Sequence, residues 1–228
     1  MSSKNKRIKK VRKLKIKNII IALFILIIII FSVIYILNMK IKNIYIIGNN
    51  ILSDKIIIEE AKLIAYPSFI LTKSKDIKQR LLKDDYIKEV KITKKFNFKL
   101  YIEIKENKIL ASKDNKLVLE NKKIVDNIYN ITNAPILINN IDSVKDDFCK
   151  YFAHIDSSIL NKISQIEYTP NNVDKSRFLL YMNDGNSVYI TLTRIDKINK
   201  YNSIKDQLGN NLGILYLDSG DYYEIKNN

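Results

Sequence analysis

Residues 19–37 read "IIIALFILIIIIFSVIYIL", nineteen positions without a charge, proline or glycine, and this run constrains the fold more than any other feature. A helix of that length rises roughly 28 Å at 1.5 Å per residue, the thickness of a bilayer's hydrocarbon core. Its Leu, Ile, Phe and Val residues each favour insertion by about 0.3–0.6 kcal/mol. A buried core helix would be shorter and would carry a polar face, whereas only Ser32 and Tyr35 depart from apolar here. A cleaved leader would end in small residues, and the following "LNMKIKN" offers none. The run is expected to be an uncleaved transmembrane helix.

Charge orients that helix. Residues 1–18 hold nine Lys or Arg and no acid, and Arg7, Lys9, Lys10, Arg12, Lys13, Lys15 and Lys17 are the candidate topology anchors. Beyond residue 37 only Lys40 and Lys42 precede Gly48. Positive charge beside a span stays in the cytoplasm, so the N-terminus is expected inside and residues 40–228 outside the cytoplasmic membrane. The formal net charge of +15 then loses its force as a sign of nucleic-acid binding. Nine of those charges sit in the tail, and the outer residues carry thirty basic against 24 acidic groups, a mild excess. A single cysteine, Cys149, rules out an internal disulfide, so packing alone must hold the outer part.

The residues after the span read as a compact unit. "KNIYII" is a strand with Ile44 and Ile46 in one phase, ended by the turn residues Gly48, Asn49 and Asn50. "SDKIIIEEAKLI" places Ile57, Ile58, Ala61 and Ile64 at helical spacing behind Ser53 as N-cap. "SKDIKQRLLKDD" is a second helix, capped by Ser74 and burying Ile77, Leu81 and Leu82. Two strands follow: "YIKEVKITKKF" presents Val90 and Ile92, and "FKLYIEIKEN" alternates Leu100, Ile102 and Ile104 against Lys99, Tyr101, Glu103 and Lys105. Such alternation marks one packed and one wet face.

Farther along, residues 108–127 read as a β-meander with turns at Asp114-Asn115 and Asn121-Lys122. "SVKDDFCKYFAHI" spaces Val144, Phe148, Tyr151, Phe152 and Ile155 as an amphipathic helix, and "KISQIEYT", "RFLLYM" and "SVYITL" are strands, the last two joined by the hairpin turn "NDGN". "TRIDKINKYNSIKDQLG" is expected to be one helix with Thr193 as N-cap, Ile195, Ile198, Tyr201, Ile204 and Leu208 inside, and Gly209 as its stop. A final strand over residues 214–218 and a tyrosine-rich tail close the chain. Residues 128–141 read equally as strand or loop.

The order strand, Gly-Asn, helix, helix, strand, strand directly after a single span resembles a POTRA (polypeptide-transport-associated) domain. Gly48, Asn49, Val90, Ile92 and Glu106 stand at that domain's signature places, while Phe96 and Asn107 stand where it often has proline. The short basic tail, the overall length, "MNDGNSVYITLTRIDKINKYNSI" and "ILYLDSG" extend the likeness to the FtsQ/DivIB family of bacterial division proteins, with Ser219 in place of that family's arginine. The resemblance implies an α+β fold: a basic tail (1–18), a transmembrane helix (19–37), a β-α-α-β-β POTRA domain (41–107), and a mixed, mainly antiparallel β domain with two helices (108–228). It also implies a non-catalytic scaffold at the division septum, binding DivIC/FtsB-like and FtsL-like bitopic proteins and, through them, the septal peptidoglycan synthase. No cofactor is implied, and oligomeric state is left open.

Chemistry is poorly represented. Cys149 and the lone His154 lie five apart on a predicted helix, about 140° round its axis, a poor dyad. Cys149 is expected as a core residue and His154 as a structural histidine. The adjacent acids Glu59-Glu60, Asp84-Asp85 and Asp146-Asp147 diverge on helices and are expected on solvated faces. Binding is expected instead by strand addition at an open sheet edge, placed at residues 214–218, with Ile214, Tyr216, Asp218, Tyr222 and Tyr223 as candidate contacts, although Tyr216, Tyr222 and Tyr223 read equally as packing on the sheet's own face. A sporulation or signalling scaffold, or a membrane-anchored cell-wall enzyme, are the other classes the sequence admits.

Overall fold

A computed structural model describes residues 16–209 and 211–226, except for the side chain of Leu208. Six of the seven topology anchors, Arg7 to Lys15, therefore lie outside the described residues, as does the inward placement expected of Leu208. Helix α1 (Ile16–Leu37) is one continuous element with no buried residue, and Lys17 opens it. It is the one described helix long and apolar enough to cross a membrane. The Ser32 hydroxyl donates to the Ile28 carbonyl at 2.8 Å, so its polarity is satisfied within the helix.

The next unit is a three-stranded sheet covered by two short helices. Strands β1 (Asn43–Ile47), β2 (Ile87–Lys95) and β3 (Lys99–Glu106) lie in the order β1-β3-β2, β1 parallel and β2 antiparallel to β3. Helices α2 (Asp54–Glu60) and α3 (Ser74–Leu81) bury Ile57, Ile77 and Leu81 against Val90, Leu100, Ile102 and Ile104. Ser53 caps α2, accepting from the Ile56 amide. Three expectations fail locally. Lys62 turns to φ +57 straight after α2, so Leu63 enters the core and Ile64 stays exposed. Lys73, not Ser74, is the N-cap residue of α3, without a side-chain bond. Leu82 lies past the last turn of that helix and is exposed.

The remainder forms a nine-stranded sheet of order β12-β11-β10-β9-β8-β7-β4-β5-β6. Its strands are β4 (Ile109–Lys113), β5 (Lys116–Leu119), β6 (Ile124–Asp126), β7 (Ile136–Leu137), β8 (Ile163–Tyr168), β9 (Arg177–Met182), β10 (Ser187–Thr191), β11 (Gly213–Tyr216) and β12 (Tyr222–Ile225). Asp114 and Asn115 take the positive φ of a tight hairpin, and Gly185 does so at "NDGN". Residues 128–141 are loop except for β7, two residues that bridge β4 and β8 in parallel. Helix α4 (Lys145–Phe152) packs on the sheet through Phe148 and Phe152, whose rings meet each other at 4.1 Å and Phe178 of β9 at 5.7 and 5.5 Å. A one-turn helix, α5 (Ser157–Leu160), leads into β8.

The expected long helix after β10 is instead a 3-10 segment (Leu192–Lys200) followed by α6 (Tyr201–Leu208). Arg194 departs from helical geometry, and Thr193 does not cap it. The apolar spacing survives because Ile195, Ile198 and Tyr201 are three apart, a period that suits a 3-10 turn as well as an α-helix. Gly209 ends α6 at positive φ.

The two units share a core. Alternation along β5 sends Val118 into the core under the large sheet, while Leu117 and Leu119 join the core of the small one. The Tyr86 hydroxyl donates to the Asp126 carbonyl at 3.0 Å, and the buried Asn107 side chain donates to the Asp85 carbonyl at 2.7 Å. Lys108 reaches the Ala153 and Ile155 carbonyls past the end of α4, and burial lowers its pKa.

Candidate partner-binding edge

Residues 214–218, expected to be the open edge, are not one. β11 pairs in parallel with β10 and antiparallel with β12, because the tyrosine-rich tail folds back as a strand. The outermost strand is β12. Its register fixes which backbone groups are free. The Lys226 amide donates to Leu212 at 2.9 Å, so in the antiparallel ladder Glu224 and Tyr222 also turn toward β11. Tyr223 and Ile225 therefore direct their N–H and C=O groups away from the sheet.

Turn chemistry after β11 holds the hairpin. Asp218 is clamped by the Arg177 guanidinium at 2.7 Å, with both side chains largely buried. Asp221, at positive φ, is bound by Arg194 at 2.8 Å and by Lys197, and the Lys197 ammonium foremost holds its carboxyl below the ordinary range. Asp218 thus shapes the edge without forming it.

On the solvent face a row of rings crosses the sheet toward β12. Arg177 lies over Tyr189 at 3.7 Å, Tyr189 stacks on Tyr216 at 5.3 Å, and Tyr216 stacks on Tyr222 at 4.5 Å. These tyrosines sit directly opposite one another in the ladders, Tyr189 with Tyr216 and Tyr216 with Tyr222. Ile214 is half-buried on the same phase of β11 as Tyr216.

Tyr223 points the other way. Its hydroxyl donates to the Asn211 carbonyl at 2.8 Å and lies 3.0 Å from Oδ1 of Asn186, and its ring covers Gly213. Asn186 is buried, accepts the Gly213 amide at 2.9 Å, and donates to the Tyr201 hydroxyl at 3.1 Å. Tyr201 in turn donates to Asp184 at 2.9 Å, and burial raises its phenol well above the ordinary value. Burial alone would raise Asp184, but Lys205 at 2.7 Å, the Asn186 amide and Tyr201 together hold it below the carboxylate range. The "NDGN" turn is thus a bolt that joins β10, α6, β11 and β12.

The chain is similar in sequence to known proteins over most of its length. A family model described as "POTRA domain, FtsQ-type" matches residues 39–107. Cell division protein DivIB of Bacillus subtilis (strain 168) is 33% identical over 195 residues, 81% of this chain and 74% of that protein. The chain belongs to the DivIB/FtsQ family. DivIB of Bacillus anthracis is 29% identical over 166 residues, covering 69% of this chain and 62% of that protein. A solved structure of the major extracytoplasmic domain of DivIB from Geobacillus stearothermophilus covers 43% of this chain and 91% of its own at 25% identity, with a TM-score of 0.38. The α+β architecture with its POTRA unit is that of the family, and the role lies in cell division.

In this DivIB/FtsQ-family chain Gly48, Asn49 and Glu106, which the sequence resemblance singled out, meet at one turn. The Glu106 carboxylate accepts the amides of Asn50, Ile51 and Leu52 at 2.8–3.0 Å. The Asn49 side chain donates to the Leu52 carbonyl and to Asp54. Gly48 has φ +89, and a Cβ there would meet the Ile104 carbonyl oxygen at 2.1 Å. Val90 is buried and Ile92 half-buried on β2.

The chemical candidates scatter. Cys149 is buried in the core, where burial raises its thiol. His154 lies past the end of α4 and is exposed, 3.7 Å from Asp196, so it is a surface residue and not a packed one. Among the described residues no three His, Cys, Asp or Glu side chains gather as a metal site. Glu59, Asp146 and Asp147 face solvent, but Glu60 does not follow them. It meets Asp84 across the first unit, and burial, then the Asp84 charge, pushes its carboxyl up to about 7. Sequence reading also missed Arg177, Tyr189 and Asn186. Tyr189 carried a signal, since it alternates with the apolar Val188 and Ile190, whereas Asn186 looked like any turn residue.

Proposed function

We propose that this protein is a non-catalytic scaffold of the division machinery that spans the cytoplasmic membrane once, N-terminus inside. It captures DivIC/FtsB-like and FtsL-like bitopic partners by strand addition at β12, linking them to the septal peptidoglycan synthase. The free N–H and C=O groups of Tyr223 and Ile225 carry this reading, because they continue the ladder that β11 and β12 already form. The Tyr189–Tyr216–Tyr222 row beside them offers the amphipathic rings that interfaces favour. Nine basic residues inside against two beside the outer end of α1 support the orientation.

Proline at 225 removes one outward N–H and leaves the inward bonds of Glu224 and Tyr222 in place. Full-length Ile225→Pro, purified from dividing cells of the source organism, is expected to lose DivIC/FtsB-like and FtsL-like partners while retaining the melting temperature of the parent. Undiminished co-purification by a folded Ile225→Pro chain would place the contact elsewhere.

A further inference from the structure

The spanning helix runs into the first folded unit without a spacer. The Ser68 hydroxyl donates to the carbonyl of Leu37, the last residue of α1. The Phe69 amide donates to Met39 at 2.8 Å, the Ile41 amide to Pro67 at 3.0 Å, and the Lys42 amide to Phe98 at 2.9 Å. Two loops are thereby stitched to the helix end, residues 64–73 and the β2–β3 turn at 96–98. They also hold each other: Phe69 meets Phe98 edge-on at 5.4 Å, and Lys94 lies 4.9 Å over the Phe69 ring while donating to its carbonyl.

What these loops turn outward is unusual for a surface that must stay in water. Phe96 is 91% exposed, Leu71 61% and Ile70 46%, and Tyr66 is exposed beside them. Residues 37–42, 64–73 and 94–99 contain no acid and six lysines: Lys40, Lys42, Lys73, Lys94, Lys95 and Lys99. At no more than about 3.5 Å per residue, Leu71 lies within roughly 10 Å of its anchor at Ser68. If α1 spans, Ser68 is bonded at the depth where hydrocarbon gives way to headgroups, and the apolar tips beside it are level with the lipid.

We propose that residues 66–71 and Phe96 form a foot that seats the POTRA unit in the outer headgroup layer of the same bilayer. The side chains of Ile70, Leu71 and Phe96 enter the boundary of the acyl chains, and the exposed Lys40, Lys42, Lys73 and Lys95 face the phosphates of anionic lipids. Apolar and aromatic side chains next to lysines are the composition that this zone favours. A protein partner is the weaker occupant, because the patch is already held against the surface by the chain's own span. The foot depends on the reading of α1 as a membrane span. It would fix the tilt of the small sheet, and through the shared core that of the large one, relative to the membrane.

The chain has no tryptophan, so single-tryptophan variants report without background. Leu71→Trp, Phe96→Trp, Ile28→Trp in mid-helix and Val173→Trp on the β8–β9 loop are made in the full-length chain. Each is reconstituted into vesicles of phosphatidylglycerol and phosphatidylcholine with or without brominated acyl chains. The expected result is quenching and a blue shift at 71 and 96 approaching those at 28, with neither at 173. Quenching at 28 alone, with 71 and 96 matching 173, overturns the foot and leaves the span intact. No quenching at 28 removes the span and the foot together.

Discussion

Glu106 is a surface-strand residue whose job is to bind a turn more than fifty residues earlier. Its carboxylate takes three successive amides that β1 leaves free as it bends at Gly48. Bonds from a charged acceptor contribute about 1.5–3 kcal/mol each when the donors have no other partner. Water takes over much of the bonding to these half-exposed amides once the carboxylate is gone. Glu106→Ala is therefore expected to lower the unfolding free energy of residues 38–228 by only about 2–3 kcal/mol in urea titration, with Glu106→Gln recovering part of it. Gly213 is held to its identity by a different cause, crowding. A Cβ there would lie 2.1 Å from the Glu224 carbonyl oxygen and 2.7 Å from the Tyr223 ring. Gly213→Ala is expected to release β12 while the first unit stays folded, read as fast amide exchange confined to residues 213–226. Slow exchange at those amides in the variant would show that the strand can shift to accept the methyl.

At the scale of elements, the sequence was most legible where one period dominates. β3 alternates without exception, and Leu100, Ile102 and Ile104 are buried as that alternation requires. α1 needed only length and apolarity. Legibility failed where two geometries satisfy the same spacing. Residues 192–204 keep their apolar positions at intervals that a 3-10 turn and an α-helix both accept, so the pattern located the inward face without choosing the helix type. The candidate edge failed for another reason. Tyr222, Tyr223 and Ile225 are a short stretch with glycine and acids before it, and its pairing with β11 rests on long-range partners: Asn186 under Tyr223, and Arg194 and Lys197 on Asp221. None of these is readable from local pattern. A consequence is that β12 is held by side chains of the β9–β10 turn and the 3-10 segment. Asn186→Ala removes the acceptor for Gly213, a partner of Tyr223 and the donor to Tyr201 at once, and is expected to weaken partner capture while leaving the outward backbone groups of β12 chemically unchanged. Pull-down with unchanged affinity would show that the ladder alone suffices.

At the scale of the whole molecule, the seam between the two sheets is a structural element in its own right. Leu117 and Leu119 fill the first core from the second sheet, and each such burial stabilises by about 1.5–3 kcal/mol. The same seam holds Glu60 and Asp84 from the first unit in a groove shared with Asp126 and Tyr129 from the second. One Glu60 oxygen, Oε2, is buried without a hydrogen-bond partner, and the charge of Asp84 adds to the cost of ionising it. Burial first, then Asp84 and Glu60, also pushes the Tyr129 phenol up to about 12. The sign follows from proton binding. Glu60 ionises near 4.5 in the unfolded chain and near 7 in the folded one, so between those values the folded state holds the extra proton. Its stabilising contribution is complete below about 4.5 and is lost as pH rises to about 7. Residues 38–228 are therefore expected to lose melting temperature across that window. Glu60→Gln, which keeps shape and removes the charge, is expected to flatten the slope and to melt above the parent at pH 8. Hydrogen exchange at Tyr86 and Tyr129 should slow in the same variant, because the seam no longer carries two facing carboxylates. A parent and Glu60→Gln pair with parallel profiles from pH 4.5 to 8 would mean that solvent already relieves the pair, and that the facing carboxylates cost the seam nothing.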